Sequence, residues 1–168
     1  MSSQENSLKF NNRPNQCVWI SRSVAVLAIP LFQQNNKLWV PLGKRSESCP
    51  TEPGKFGLPA GYLDWDETAS EAMIREVWEE IGLDLTKLGK PYEGNLEQPY
   101  YVFSDPRGDA AQNVTLRFAF LFNVDELPKL TAAVSEVSEA DWFLVLEATN
   151  MDLAFNHVEI LKDFVGEA

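Results

Sequence analysis

The sequence predicts a single α/β domain, and three observations carry that expectation. Apolar, β-like segments lie on both sides of one strongly patterned helix; that helix runs through about residues 67–81; and no repeat, linker or low-complexity block interrupts residues 17–165. A chain of 168 residues with 45% apolar content can bury a core without disulfides or a structural metal. Residues 1–16, rich in Ser, Asn and Gln, show no apolar periodicity and are expected to form a flexible N-terminal arm, leaving 17–168 as the domain.

The elements follow in order. Residues 18–31 are dense in Val, Ile and Leu, and residues 37–44 carry Leu38, Val40 and Leu42 in alternation, so a hairpin is expected with its turn over 33–36. Pro50, Pro53 and Gly54 make residues 46–56 a loop, and a short strand is expected at 57–60. The helix ends at Gly82, a residue suited to the left-handed C-cap. Residues 91–103 and 114–124 are two further strands separated by the turn-rich 104–113, and residues 141–145 a last short strand. A C-terminal helix over 146–165 would pack through Leu153, Val158, Ile160, Leu161 and Phe164.

Charge and cysteine content exclude several functions. With 14 basic against 25 acidic residues the formal net charge is −11, which disfavours contact with a nucleic-acid polymer, since such binding depends on Lys and Arg displacing counterions. A divalent cation between protein and ligand would still let an acidic protein hold a small anion. Cys17 and Cys49 have neither CxxC spacing nor a histidine at zinc-ligand distance, so reduced thiols are expected. The apolar run at 24–32 is too short to span a bilayer and is broken by Pro30, and a cytoplasmic protein with no membrane partner is expected.

The helix holds the chemistry. Residues advance about 100° each around the axis, so Ile74, Val77, Trp78 and Ile81 form a docking stripe while Glu76, Glu79 and Glu80 gather on another. Like charges one turn apart destabilise a helix, and a hard divalent cation, which prefers carboxylate oxygens, would offset that cost. Arg75 can reach Glu79 and Glu71 along the helix and would brace the acidic edge. A plain solvated acidic face is the competing explanation.

The spacing around the helix argues against that explanation. Gly61, Glu67 and then Arg75, Glu76, Val77, Glu79, Glu80, Gly82 and Leu83 occupy nine fixed positions across residues 61–83, and this pattern resembles the Nudix box at every position. The resemblance implies a Nudix-type α/β/α sandwich with a mixed sheet between helices. It also implies magnesium (or manganese) held by Glu76, Glu79, Glu80 and the Gly61 carbonyl, with Glu79, Glu80 and Arg75 in the catalytic group. Glu67 would support the site, or cap the helix together with Asp64.

Outside the box, Glu136 is the first candidate for a general base and Glu139 the second, both in a segment resembling the family's loop before its last strand. Arg45 resembles a substrate-facing basic position. Arg107, in Asp105-Pro106-Arg107-Gly108, resembles a phosphate-approaching arginine of ADP-ribose-cleaving members, although the same residues also make an ordinary turn. Trp19, Tyr62, Trp65 and Phe103 are candidates for stacking on a base, and His157 is expected to be structural.

The resemblance therefore implies a metal-dependent pyrophosphohydrolase for a small nucleotide substrate, an ADP-ribose-like compound or nucleotide sugar before a nucleoside triphosphate. The alternative of another class is a nucleotide-sensing module without turnover. Such modules often lose box acids or add a DNA-binding domain, and a chain ending at Ala168 is expected to have no room for one. A homodimer would be unsurprising for a domain of this size.

Overall fold

Alternation along two long strands decides the layering. In β3 (Val24–Gln34), Val26, Ala28 and Phe32 project to one face while Leu27, Ile29 and Leu31 project to the other; in β9 (Val114–Asn123), Phe118, Phe120 and Phe122 oppose Ala119 and Leu121. Both strands are apolar on both faces, as sheets covered on two sides require. The computed structural model describes residues 7–8, 18–19, 22–107, 113–132 and 135–166, with the backbone alone at 7–8 and 18–19. β3 and β9 pair in parallel, from Val24 with Val114 to Gln33 with Asn123, while the other pairings are antiparallel, so the sheet is mixed.

One face is covered by helix α1 (Ala69–Ile81) through Ala72, Met73, Val77 and Ile81, and the other by the C-terminal helices α2 (Val145–Ala148) and α3 (His157–Gly166) through Val145, Ala148 and Leu161. The expected α/β/α sandwich is therefore present. Trp78, expected to dock, is instead about half exposed, and Met73 takes its place in the core. The stripe centres on the 73–77–81 diagonal, and Trp78 falls at its margin.

Several boundaries differ from the sequence expectation. The hairpin strand starts at Val24; residues 18–19 form a separate strand, β2 (Val18–Trp19), paired with β1 (Ser7–Leu8), while most of the expected arm over 1–16 lies outside the described residues. The hairpin turns over Asn35 and Asn36, at φ +50° and +59°, into β4 (Lys37–Arg45); asparagine tolerates this left-handed conformation. β3 and β4 pair only next to the turn and then splay apart. Into the gap comes the segment expected as one short strand. It forms two: β5 (Phe56–Gly57) pairs with β4 and β6 (Ala60–Tyr62) pairs with β3, while the Pro59 carbonyl accepts the Ala28 N–H at 2.9 Å.

The stretch 91–103 likewise yields two short strands, β7 (Glu93–Gly94) and β8 (Tyr101–Phe103), both on β9. β10 (Val137–Leu144) starts four residues before the expected 141, because its polar first half gives no hydrophobic signal yet pairs with β4 as far as Arg45. The expected single helix over 146–165 is broken. Thr149 and Asn150 turn their side chains back onto the Leu146 carbonyl, and α3 starts only after a 3₁₀ turn, Ala154–Asn156, in which Phe155 and Asn156 have φ +52° and +59°. Leu153 and Leu161 are buried, and Val158, Ile160 and Phe164 pack beside them.

Candidate active site

Thr68 caps α1: its hydroxyl accepts the Glu71 N–H, and the Glu71 carboxylate accepts the Thr68 N–H at 2.8 Å. Asp64 is therefore not the helix cap, and Glu71 is committed to the cap rather than to Arg75. Glu67 is left free for the site. It accepts the Asp64 N–H at 2.8 Å and takes the Arg75 guanidinium in a two-pronged contact, Nε to Oε2 at 3.0 Å and Nη2 to Oε1 at 2.7 Å.

Arg75 is the hub of the cluster. Nη2 also donates to the Tyr62 carbonyl at 2.9 Å, and Nη1 donates to Glu76 at 2.7 Å and Glu79 at 3.1 Å. Glu67 foremost, and then Glu76, hold the guanidinium far above its already high range, and Arg75 in turn holds Glu67 below the usual carboxylate range. One side chain thus joins the start of the helix, strand β6 and the acidic face.

Helix geometry separates the three acids that the sequence groups together. Glu76 and Glu80 each precede a buried residue, Val77 and Ile81, and lie beside the buried stripe, whereas the Glu79 side chain is 40% exposed. Glu76 lies against Gly61, where an added Cβ would overlap its carboxylate, so the absence of a side chain at 61 is what admits it. Burial pushes Glu76 up despite Arg75. Glu80 reaches under the β5–β6 segment, and its Oε2 accepts the Ala60 N–H at 3.0 Å. Burial pushes Glu80 up to about 8; the Glu76 and Glu136 charges add to this, and the Ala60 N–H and Arg45 oppose it.

The Glu76 and Glu80 carboxylates, whose charged forms burial disfavours, are hard oxygen donors of the kind a divalent cation prefers. Among the described residues no three acidic, His or Cys side chains converge as a metal cage. Glu76 and Glu79 share Nη1 of Arg75, and these two would have to turn from Arg75 to meet an ion jointly with Glu80.

Beside Glu80 a small enclosed cavity is lined by Gly43, Arg45, Ala60, Val137, Phe155 and His157, among others. The Arg45 Nε–H donates to the Thr51 carbonyl at 3.0 Å and the guanidinium lies over the Phe155 ring at 4.7 Å, with no ion pair to a carboxylate among the described residues. His157 is buried, and its Nδ1 accepts the Leu58 N–H at 3.0 Å, a structural role; burial, then the Arg45 and Arg117 charges, lower it to about 3. Glu136 is exposed, and its carbonyl is anchored by the Ser46 N–H at 2.8 Å and the Cys49 thiol at 3.3 Å. Glu139 instead pairs with Lys44 at 3.7 Å.

Arg107 is 88% exposed and folded back on Asp105, with three hydrogen bonds of 2.8–2.9 Å, the arrangement of a self-contained turn. Trp65 is fully exposed. The sequence reading missed the Ala60 N–H, Phe155 and the Thr68 cap. Only the last had a visible signal, the Thr-x-x-Glu pattern at 68–71.

An ADP-ribose pyrophosphatase of Methanocaldococcus jannaschii is 33% identical over 113 residues, 67% of this chain and 58% of that protein. A dihydroneopterin triphosphate diphosphatase of Haemophilus influenzae is 24% identical over 115 residues, 68% of this chain and 73% of that protein. The chain thus spans little more than half the length of the first of these relatives. The NUDIX domain of Shewanella oneidensis NrtR, solved in complex with ADP ribose, shares the fold with a TM-score of 0.69 at 18% identity, covering 89% of this chain and 90% of that one. The NUDIX domain model matches residues 21–164, and with the unbroken box this places the chain in the Nudix family.

Proposed function

We propose that the protein is a divalent-metal-dependent pyrophosphohydrolase that cleaves the diphosphate linkage of a nucleoside diphosphate derivative, with ADP-ribose or a nucleotide sugar as the first substrate class. The observation that carries this reading is the placement of two half-buried carboxylates, Glu76 and Glu80, against Gly61 and Ala60, next to an arginine, Arg45, that has no ion pair among the described residues. The substrate preference draws on the 33% identity to the archaeal ADP-ribose pyrophosphatase.

Glu76, Glu79, Glu80 and the Gly61 carbonyl would hold magnesium or manganese. Bound there, such an ion neutralises phosphate oxygens and lowers the pKa of water. Arg75 keeps the acids in register from β6 to the helix. Arg45, oriented by the Thr51 carbonyl and the Phe155 ring, binds the diphosphate. Glu136, whose charge Glu80 senses, takes the proton from the attacking water. Arg107 is a weaker candidate for a phosphate contact, since it would first have to leave Asp105. No helix among the described residues is long and apolar enough to cross a membrane, and the free, buried Cys49 suits the reducing cytoplasm.

The test is a magnesium-dependent hydrolysis panel read by product mass, covering ADP-ribose, nucleotide sugars, dinucleoside polyphosphates, coenzyme A, NADH and oxidised nucleoside triphosphates. Glu80→Gln and Glu79→Gln should each cost about 10²-fold or more in kcat, and full activity in both would sink the site. A second reading, cleavage of a nucleoside triphosphate to pyrophosphate, is favoured by the Haemophilus relative, and release of inorganic pyrophosphate on the panel would select it.

A further inference from the structure

The segment 57–61 crosses the gap between the splayed strands β3 and β4, and its two ends are held by pairing. Gly57 pairs with Gly43 of β4, while Ala60 and Gly61 pair with Leu27 and Val26 of β3. Leu58 and Pro59, between them, belong to no strand. Pro59 has no N–H to place, and its carbonyl accepts the Ala28 N–H at 2.9 Å. The N–H groups on either side of Pro59 go to side chains: that of Leu58 to His157 Nδ1 and that of Ala60 to Glu80 Oε2, each at 3.0 Å.

Those two side chains come from opposite faces of the sheet. Glu80 belongs to α1 and His157 opens α3, and the two helices pack on different sides. The crossing segment is therefore fixed from both sides, two residues apart. One of the fixing groups is an acid of the site. The other is a buried histidine that the proposed chemistry leaves unused.

Gly57 bears on the same contact. Its φ lies outside the left-handed region, so the backbone there does not demand a glycine. The approach of the ring does: a Cβ at position 57 would stand 3.1 Å from His157 Nδ1. The missing side chain lets the imidazole reach the next N–H along the chain. Because Nδ1 accepts, the ring is neutral and carries its proton on Nε2.

A buried N–H without an acceptor is costly, so the position of the ring constrains the position of Leu58. The constraint passes along a short, stiff stretch through Pro59 to Ala60 and Gly61, which meet Glu80 and Glu76. A metal or catalytic constellation must be held within about 0.5 Å to work, and that tolerance is small beside the shift an unpaired Leu58 would allow.

We propose that His157 is a positioning residue for the acidic site. From the face opposite α1 it fixes residues 58–61, and through them it sets the Ala60 N–H and the Gly61 carbonyl against Glu80 and Glu76. It acts through the backbone and not on the reacting atoms. Phe155, two residues earlier, works on Arg45 instead, so the two residues of one turn govern different quantities. The inference rests on the divalent-metal reading of Glu76 and Glu80.

The test compares His157→Leu, which removes the acceptor, with His157→Asn, whose side-chain oxygen can stand where Nδ1 lies. Calorimetric titration with Mn2+ in the absence of substrate is paired with steady-state kinetics on the panel compound that the wild type cleaves fastest, both well below the Tm of each variant. His157→Leu should weaken Mn2+ affinity and lower kcat by about tenfold each, with KM within about threefold, and His157→Asn should recover most of both losses. Gly57→Ala crowds the ring from the other side and should show a loss of the same kind; it decides the question if His157→Leu does not fold. Wild-type Mn2+ affinity in the folded variants, equal losses in His157→Leu and His157→Asn, or an effect confined to KM would overturn the positioning role. If the wild type hydrolyses a panel compound and the variants bind and turn over as it does, the hydrolase reading stands and the role of His157 fails. If the wild type binds Mn2+ and cleaves nothing, the hydrolase reading fails and the Mn2+ Kd values alone judge His157. A wild type that binds no Mn2+ ends both.

Discussion

Glu80 accepts the backbone N–H of Ala60 at 3.0 Å, a contact that ties the acidic helix to the segment filling the gap in the sheet. Its carboxyl is held up at about 8, above the ordinary 4.5, chiefly by burial. A carboxyl raised in the folded state destabilises the fold as pH rises: the metal-free protein loses Glu80's share of stability between about 4.5 and about 8. Magnesium competes with that proton, so it should raise Tm more at pH 8.5 than at pH 5.5 (each about half a unit or more from the limits of the window). In Glu80→Gln the difference between the two pH values should shrink, and paired thermal melts read it directly.

Gly61→Ala places a methyl group inside the space of the Glu76 carboxylate. The side chain must swing away from β6, and metal affinity should fall about 10- to 100-fold. Calorimetric titration with manganese checks this. Unchanged affinity would show that Glu76 and Gly61 do not act on the same ion.

Phe155 adopts φ +52°, which a side chain disfavours, and its ring sits under the Arg45 guanidinium. Phe155→Gly relieves the backbone while removing the ring. Thermal stability should stay close to wild type, and KM should rise about three- to tenfold with a smaller change in kcat. Arg45→Ala should raise KM as well, and the double variant should be little worse than Arg45→Ala alone.

His157 is buried and lowered to about 3, with its Nδ1 accepting the Leu58 N–H. The unfolded chain binds this proton near 6.5, so the contribution is complete above 6.5 and is lost as pH falls toward about 3, by about 1.4 kcal/mol per unit. Denaturant melts at pH 7 and pH 5 should differ in the wild type and differ less in His157→Gln.

Much of this was legible in the chain itself. The 3.6-residue period with Gly82 at its end marked α1, and Gly82 does take the left-handed C-cap, at φ +68°. The Val, Ile and Leu density of residues 18–31 and the alternation over 37–44 marked the hairpin, and the spacing from Gly61 to Leu83 marked the family, because these patterns are local and each residue's chemistry constrains its neighbours. The acidic cluster was legible as a set. Its division was not. Whether a carboxylate is buried depends on what packs against the helix, and only the folded chain brings Gly61 to Glu76 and Ala60 to Glu80. The same holds for Arg45 on Phe155 and for Arg117 between Tyr101 and Phe103. Sequence composed the local elements and supplied the acids. Tertiary structure decided which charges pair, which stay buried and which arginines are left without an acid, because burial and pairing depend on contacts between residues distant in the chain.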